Sequence, residues 1–346
     1  MHCRHYSRAR QGGAALIVAL LVFALCTALI VALEVEFNRF YQRAGNLLLM
    51  EQANVYLRGA EELATLVLLA DYDEDSKREQ PRDDLTELWA QEAQPYPLEE
   101  GVMLQGALQD LQGRFNLNRL AERVAQPGEG EESVDRPRFT PAQVQFIRLL
   151  QTLGEPQLSE QQAIIVTESV SDWLDSDLEP ASLGAEDDYY FVQDPAYRSA
   201  NRPMASSSEL LAVANVTPQL YRALAPLVTV WPQVPAPLNI HTAPAAVLRS
   251  INADDDWQPL TEADGEALVQ RRKELGFADM DDFLASPEFA GKEEQMEQAR
   301  SLLGQDTGYF LLTAEVKVAD REMRLYSVLQ REGRQVNVLA RAAGSL

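Results

Sequence analysis

Hydrophobic and polar positions change rhythm three times along the 346-residue chain. From Ala14 to Leu33 twenty residues carry no charge and are almost all apolar, and the first acid is Glu34. As a helix this run spans about 30 Å, the thickness of a bilayer core, whereas a secretory h-region is roughly 7–15 residues. From Glu34 to Leu69 there is no proline. Apolar residues recur there at helical spacing: Phe37, Phe40, Tyr41, Leu47, Leu48, Met50, Val55, Leu57, Leu63 and Val67. The two stretches together predict one helix over 14–70, ~80 Å long at 1.5 Å per residue. Alternation of period two appears at Glu100–Leu120, around Gly106 and Gly113, and predicts a hairpin or strand pair. It returns in three runs, 309–320, 322–332 and 334–342, whose turns at Asp320-Arg321 and Glu332-Gly333 predict an antiparallel meander.

Between these strand regions helical spacing dominates. The runs "TPAQVQFIRLLQTLG", "EQQAIIVTESVSDWLD" and "TPQLYRALA" read as helices, and the serines Ser206–Ser208 ahead of Glu209 read as a helix cap. The expected fold class is α+β: a long N-terminal helix on an antiparallel sheet, with a large, mostly helical insertion. The expected segments are 1–13 (leader), 14–70 (long helix), 71–118 (a charged loop "DYDEDSKREQPRDD", a short helical piece "LTELWAQ" and the first strands), 119–308 (helical insertion) and 309–346 (last strands).

Charge sharpens this picture. Thirty basic and 53 acidic residues give −23, and Arg4, Arg8 and Arg10 all precede the apolar run. Positive charge before a span and acids after it place the N-terminus in the cytoplasm and the body outside. So acidic a body repels nucleic acid and anionic lipid headgroups and suits divalent cations. The two cysteines, Cys3 and Cys26, both lie before residue 34, so the body has none to pair.

The leader ending in Gly13, followed by "AALIVALLVFALCTALIVAL", resembles the type III signal of prepilins and pseudopilins. "GAALIVALLV" is most similar to the K-type minor pseudopilins of type II secretion, the GspK family. The resemblance implies cleavage by the prepilin peptidase between Gly13 and Ala14, with N-methylation of Ala14. It implies a pilin-like fold with an inserted helical domain that binds calcium. It also implies a tip complex with the I-type and J-type minor pseudopilins at the inner membrane. That complex caps the periplasmic pseudopilus and helps start its assembly for export of folded proteins across the outer membrane. Most pilins carry glutamate at the fifth mature position, to pair with the free amine of the neighbouring subunit above. Here that position is Val18; the K-type family also lacks the glutamate, and a subunit without it suits a tip. A minor pilin of a type IV system, or a membrane-anchored periplasmic metal-binding enzyme, are the alternatives.

The candidate chemistry lies in the helical insertion. No Lys, Arg or His occurs from Leu149 to Tyr197, and "SDWLDSDLEPASLGAEDDYYF" crowds seven carboxylates together. Carboxylates so close repel unless solvated or bound to a cation, and calcium takes six to eight oxygens from such loops. Asp175, Asp177, Glu179 and Glu186 fall at positions 1, 3, 5 and 12 of an EF-hand-like count, but position 6 is Pro180 where an EF-hand needs glycine. This excludes an EF-hand and leaves a calcium loop of another shape, with Asp175, Asp177, Glu179, Glu186, Asp187 and Asp188 as candidate ligands. A solvated loop is the plainer alternative. Against it, Trp173, Leu174, Tyr189, Tyr190 and Phe191 interleave the acids, which predicts a partly buried loop where unpaired charge is costly. Asp254–Asp256 and Asp279, Asp281 and Asp282 are weaker clusters, the latter at a helix start where acids favour the dipole.

"LNIHTAPAAVLRSI" with "ALVQRRKELGFADMDDFLAS" resembles helix-hairpin-helix DNA modules through Asn239, Thr242, Ala243, Leu248, Arg271, Gly276 and Phe277. The connecting segment has no Gly-x-Gly and six acids, so no DNA binding is expected. Of the three histidines only His241 lies beyond the leader, without a visible nucleophile partner, and no catalytic motif is present, so no enzyme is expected.

Overall fold

The structure is a computed structural model that describes residues 12–91, 94–99, 101–124, 138–318 and 321–343. The leader before Gly12 and the turn residue Asp320 lie outside the described residues. The chain divides into two units, Met1–Tyr56 and Leu57–Leu346.

Helix α1 (Gly12–Asp75) begins at the edge of the apolar run, and its part in the first unit, up to Tyr56, carries that run without a break. Its side chains from Leu16 to Leu33 are exposed, and the run is long and apolar enough to cross a membrane. Phe37, Phe40, Tyr41, Leu47 and Leu48 are exposed as well.

In the second unit the last turns of α1 lie against a five-stranded antiparallel sheet of order β1-β2-β7-β8-β9. The strands are β1 (Tyr96–Glu99), β2 (Val102–Asp110), β7 (Tyr309–Val318), β8 (Arg321–Glu332) and β9 (Gln335–Ala342). The C-terminal meander forms as its alternation predicts, with Gly333 at φ +55° in the β8–β9 turn. The upstream hairpin differs from expectation. Its turn is at Gly101, where φ is +79°, and Gly106 sits inside β2 opposite Ala314. Gly113 does sit in a turn, in which Arg114 N donates to the Leu111 carbonyl, but that turn leads from β2 into the insertion and does not join two paired strands. A Cβ there would lie 2.4 Å from Thr242 Oγ1, so glycine is required by close approach of the insertion.

The stripe of α1 that faces the sheet also differs from the apolar positions read above. Leu57, Ala60, Ala64 and Leu68 are buried, while Leu63 and Leu66 are exposed. The small Ala60 and Ala64, between Leu57 and Leu68, let the helix approach the sheet closely, while Leu63 and Leu66 fall on the opposite face. The same stripe continues into acids: Glu61, Asp71 and Asp75 are buried. Glu61 accepts from Ser327 of β8 (2.6 Å) and pairs with Arg341 of β9 (2.8 Å).

The insertion holds a separate core. Helices α2 (Pro141–Gln151) and α3 (Glu160–Leu174) both start with capping boxes, Thr140 with Gln143 and Ser159 with Gln162, which explains their sharp N-termini. Phe115, Phe146, Ile147, Leu149, Val170 and Leu224 pack in one cluster that runs on to Phe277, Phe283 and Phe289. Shorter elements follow in order: α4 (Asp187–Tyr190), α5 (Pro218–Leu224), α6 (Ala245–Arg249), α7 (Glu262–Glu274), α8 (Met280–Leu284) and α9 (Glu297–Ser301). Two-residue parallel pairings, β3 (Phe115–Asn116) with β4 (Val228–Thr229) and β5 (Leu238–Asn239) with β6 (Leu303–Gly304), close its ends. The serine-rich cap forms as predicted: Ser206 bonds Ser208 N, and Glu209 bonds back to Ser206 N.

Candidate metal centre and the buried charge of the helix end

Helix α3 ends at the acidic loop and organises it. Asp172 is fully buried and accepts the Ala181 amide at 3.2 and 3.1 Å, while Glu168, one turn earlier, accepts the Leu183 amide at 2.6 Å. Two carboxylates on one face of the helix thus pin the strand of loop that returns beneath them. Gly184 packs so tightly there that a Cβ would lie 1.9 Å from Asp172 Oδ2. The Asp177 amide donates to Asp175 Oδ1 and the Glu179 amide to Asp177 Oδ1, and these successive bonds curl the first half of the loop.

This curl brings Asp175, Asp177 and Glu186 together: one oxygen from each lies within 4.8 Å of the others. Asp175 and Glu186 are buried and Asp177 is exposed. The other three sequence candidates stand apart from that group. Glu179 is exposed, Asp188 is exposed, and Asp187 opens α4 and accepts from Ser199. Glu186 Oε2 accepts from Ser199 Oγ at 2.7 Å, but Glu186 Oε1 is buried with no hydrogen-bond partner. An unpartnered carboxylate oxygen inside a carboxylate cluster is what a hard cation would satisfy. Burial pushes the Asp172 carboxyl up to about 7, and burial raises those of Asp175 and Glu186 as well. The predicted aromatic setting is half realised. Trp173 and Tyr190 are buried edge to face at 5.2 Å and Tyr190 packs on Tyr197, whereas Tyr189 and Phe191 are largely exposed.

Sequence reading missed Arg123. Its guanidinium, delivered from just beyond the buried turn Leu117–Ala121, bonds Asp172 Oδ1, pairs with Asp175 Oδ2 at 2.5 Å and lies 3.6 Å from Asp177 Oδ2. A partner some fifty positions upstream carries no local signal.

A second cluster lies where a charged loop was expected, on the last turn of α1 and the segment after it. Asp71, Asp75, Asp83 and Glu87 are all buried, with one oxygen of each within 4.8 Å of the others. Arg331 of β8, only 7% exposed, pairs with Asp71 at 2.7 Å and with Asp83. Arg78 bridges Asp75 (2.9 Å) and Glu87 (2.7 Å). Asp83 also accepts the Thr307 amide (2.7 Å), and Glu87 accepts from the indole of Trp89 (2.8 Å). Four carboxylates face two guanidiniums at the C-terminal end of a helix, where the dipole disfavours negative charge. The sequence signal was the helical spacing of Asp71 and Asp75 in continuation of Leu57, Ala60, Ala64 and Leu68.

The helix-hairpin-helix-like segment is used internally. Arg272 donates to the Ile240 and Ala243 carbonyls, and Arg148 of α2 donates to the carbonyls of Ser250, Asn252, Ala253 and Asp256. Asp254 caps α9, and Asp279 caps α8. His241 is buried, and burial lowers its pKa to about 4, so it is neutral at physiological pH.

A long helix, apolar in its first part, whose last turns pack on an antiparallel sheet interrupted by a helical insertion, defines a pilin-class subunit. Residues 113–233 and 238–303 match the two domains of the family "Type II secretion system (T2SS), protein K". The type II secretion system protein K of Pseudomonas aeruginosa is 34% identical over 342 residues, covering 97% of this chain and 94% of that protein. That of Klebsiella pneumoniae is 31% identical, covering 97% of each. The crystal structure of the GspK-GspI-GspJ complex from the enterotoxigenic Escherichia coli type 2 secretion system superposes with a TM-score of 0.72. The identity is 28%, over 88% of this chain and all of that one. The chain belongs to the type II secretion system protein K family. It is a minor pseudopilin, a structural component of the secretion apparatus and not an enzyme.

Proposed function

We propose that this pseudopilin sits at the tip of the periplasmic pseudopilus, in complex with I-type and J-type minor pseudopilins, and helps initiate its assembly for export of folded proteins. The observation that carries this is the likeness over 88% of the chain to a K subunit solved with its I and J partners. Ala14–Leu33 is the single span of the inner membrane, with the arginine-rich leader in the cytoplasm and the body in the periplasm. The prepilin peptidase cuts between Gly13 and Ala14, and Ala14 becomes the methylated N-terminus. The domain plan is the one given above, except that the long helix runs past residue 70 to Asp75: first strands within 71–118, helical insertion 119–308 and last strands 309–346. Val18 leaves the apolar helix without a carboxylate to receive a subunit above, in keeping with a terminal position. On co-expression with I-type and J-type partners, affinity capture of this chain from detergent is expected to retain both. Mass spectrometry of the captured chain is expected to read methyl-alanine at Ala14. A K chain recovered alone, or with its leader intact, contradicts the respective part of the reading.

The acidic loop is, on this reading, a calcium site. Asp175, Asp177 and Glu186 form its ligand set, with Glu179, Asp187 and Asp188 flanking it and loop carbonyls completing the oxygen shell. The ion would neutralise acids that burial otherwise raises, and so fix the loop between α3 and α4. Calcium titrated into the chelator-stripped full-length chain in detergent is expected to give measurable heat and a rise in melting temperature. Glu186→Gln should weaken binding at least tenfold. Absence of both heat and shift removes the calcium assignment.

A further inference from the structure

The acidic loop already contains a cation of its own. Arg123 Nη2 lies between Asp172 Oδ1 and Asp175 Oδ2, at 2.5 Å from the latter. Nη1 faces Asp177 Oδ2 at 3.6 Å and donates to the Glu179 carbonyl at 3.3 Å. The guanidinium therefore engages two of the three carboxylates that converge, and it also acts electrostatically on the third, Glu186. Its side chain is 29% exposed, so a path to solvent is open to it.

Calcium binds carboxylate oxygens at 2.3–2.6 Å, and a guanidinium at hydrogen-bond distance from the same oxygens is a like charge a few ångströms away. Both cannot hold Asp175 and Asp177 at full strength. We propose that Arg123 is an internal competitor for the calcium site: it neutralises the loop in the metal-free state and must leave Asp175 and Asp177 when calcium enters. The inference rests on the calcium assignment made above. It assigns Arg123 the task of setting the affinity, because every binding event includes the cost of breaking its ion pairs. The free loop stays ordered on its arginine, and only calcium well above a threshold concentration replaces it. Asp172, which calcium need not touch, keeps the Ala181 amide and holds the loop in place through the exchange.

The test compares wild type, Arg123→Gln and Arg123→Lys as full-length chains in detergent, stripped with chelator and titrated calorimetrically with calcium chloride. Arg123→Gln is expected to bind at least tenfold more tightly than wild type. Its metal-free form should melt lower and its calcium-saturated form at the wild-type temperature. Arg123→Lys keeps the charge and is expected to stay within about threefold of wild type. If wild type binds calcium and Arg123→Gln binds equally or less well, the competitor role is overturned while the calcium site stands. Equal tightening by both variants also overturns it, because loosening of the loop, not loss of charge, would then be the cause. No binding by any of the three chains removes the calcium site itself. Binding by Arg123→Gln alone supports an arginine that blocks the site outright.

Discussion

Replacing Arg331 by alanine is expected to destabilise the sheet-bearing unit by ~3–5 kcal/mol, the usual cost of removing one partner from a buried ion pair. The side chain is 7% exposed and bonds Asp71, Asp83 and the Thr307 carbonyl, while its guanidinium lies 5.1 Å from the centre of the Phe310 ring. Without it Arg78 keeps its pairs with Asp75 and Glu87, but Asp71 and Asp83 lose their guanidinium. Urea unfolding at pH 7.5, followed by tryptophan fluorescence with Trp89 beside the cluster, reads the effect. Because the penalty comes from the orphaned acids, adding Asp83→Asn to Arg331→Met should recover part of the loss. A cost below 1 kcal/mol for the single variant would show that the acids find solvent instead.

The same cluster is expected to make stability depend on pH in the direction opposite to that of an ordinary salt-bridged aspartate. Burial, then the charge of Glu87 and of Asp71, push the Asp75 carboxyl up from 3.8 to about 7. Burial pushes Asp83 to about 7 despite Arg331 and the Thr307 amide. Burial, with the charge of Glu87, raises Asp71 too. A folded state that holds protons more tightly than the unfolded chain loses stability as pH rises through the interval between the two pKa values. Here that interval runs from about 4 to about 7, and the loss is complete above it. Asp75→Asn supplies the neutral form permanently. Its melting temperature should exceed that of wild type at pH 8, and the gap should close as pH falls toward 5. Asp172 titrates in a similar range, so the difference between the two chains, not either curve alone, isolates the helix end. A gap that stays constant from pH 5 to pH 8 refutes the proton-holding cluster.

Much of the fold was legible because its signals are local. The apolar run, the unbroken helical spacing behind it, the C-terminal alternation, the helical runs that form α2 and α3 and the serine cap at Ser206 each specify an element from neighbouring residues. The turn at Gly101 was misplaced because Gly106 and Gly113 also punctuate the pattern. Gly106 lies inside a strand, and Gly113 answers to a contact with Thr242 more than a hundred positions away. The acidic loop was legible as a charge anomaly. Its spacing named Asp175, Asp177 and Glu186 among six candidates, but could not show that Glu179, Asp187 and Asp188 stand apart. Its arginine was invisible because it comes from another part of the chain. The charged segment after Leu69 was misread for a related reason. Four acids in a row of polar residues look solvated until Arg331, 260 positions from Asp71, is brought against them.

The stripe of α1 that meets the sheet alternates oil and salt: Leu57, Ala60, Glu61, Ala64, Leu68, Asp71 and Asp75. A purely apolar seam can slide by a turn with little change in contact area. This one cannot, because Glu61 answers Arg341 and Asp71 answers Arg331. A shift of one helical turn moves each acid about 5.4 Å from its arginine, beyond ion-pair reach. The pairs are teeth on a ratchet with a single seat. They give the joint between helix and sheet resistance to shear along the helix axis, a property that neither alanine packing nor strand hydrogen bonding would supply.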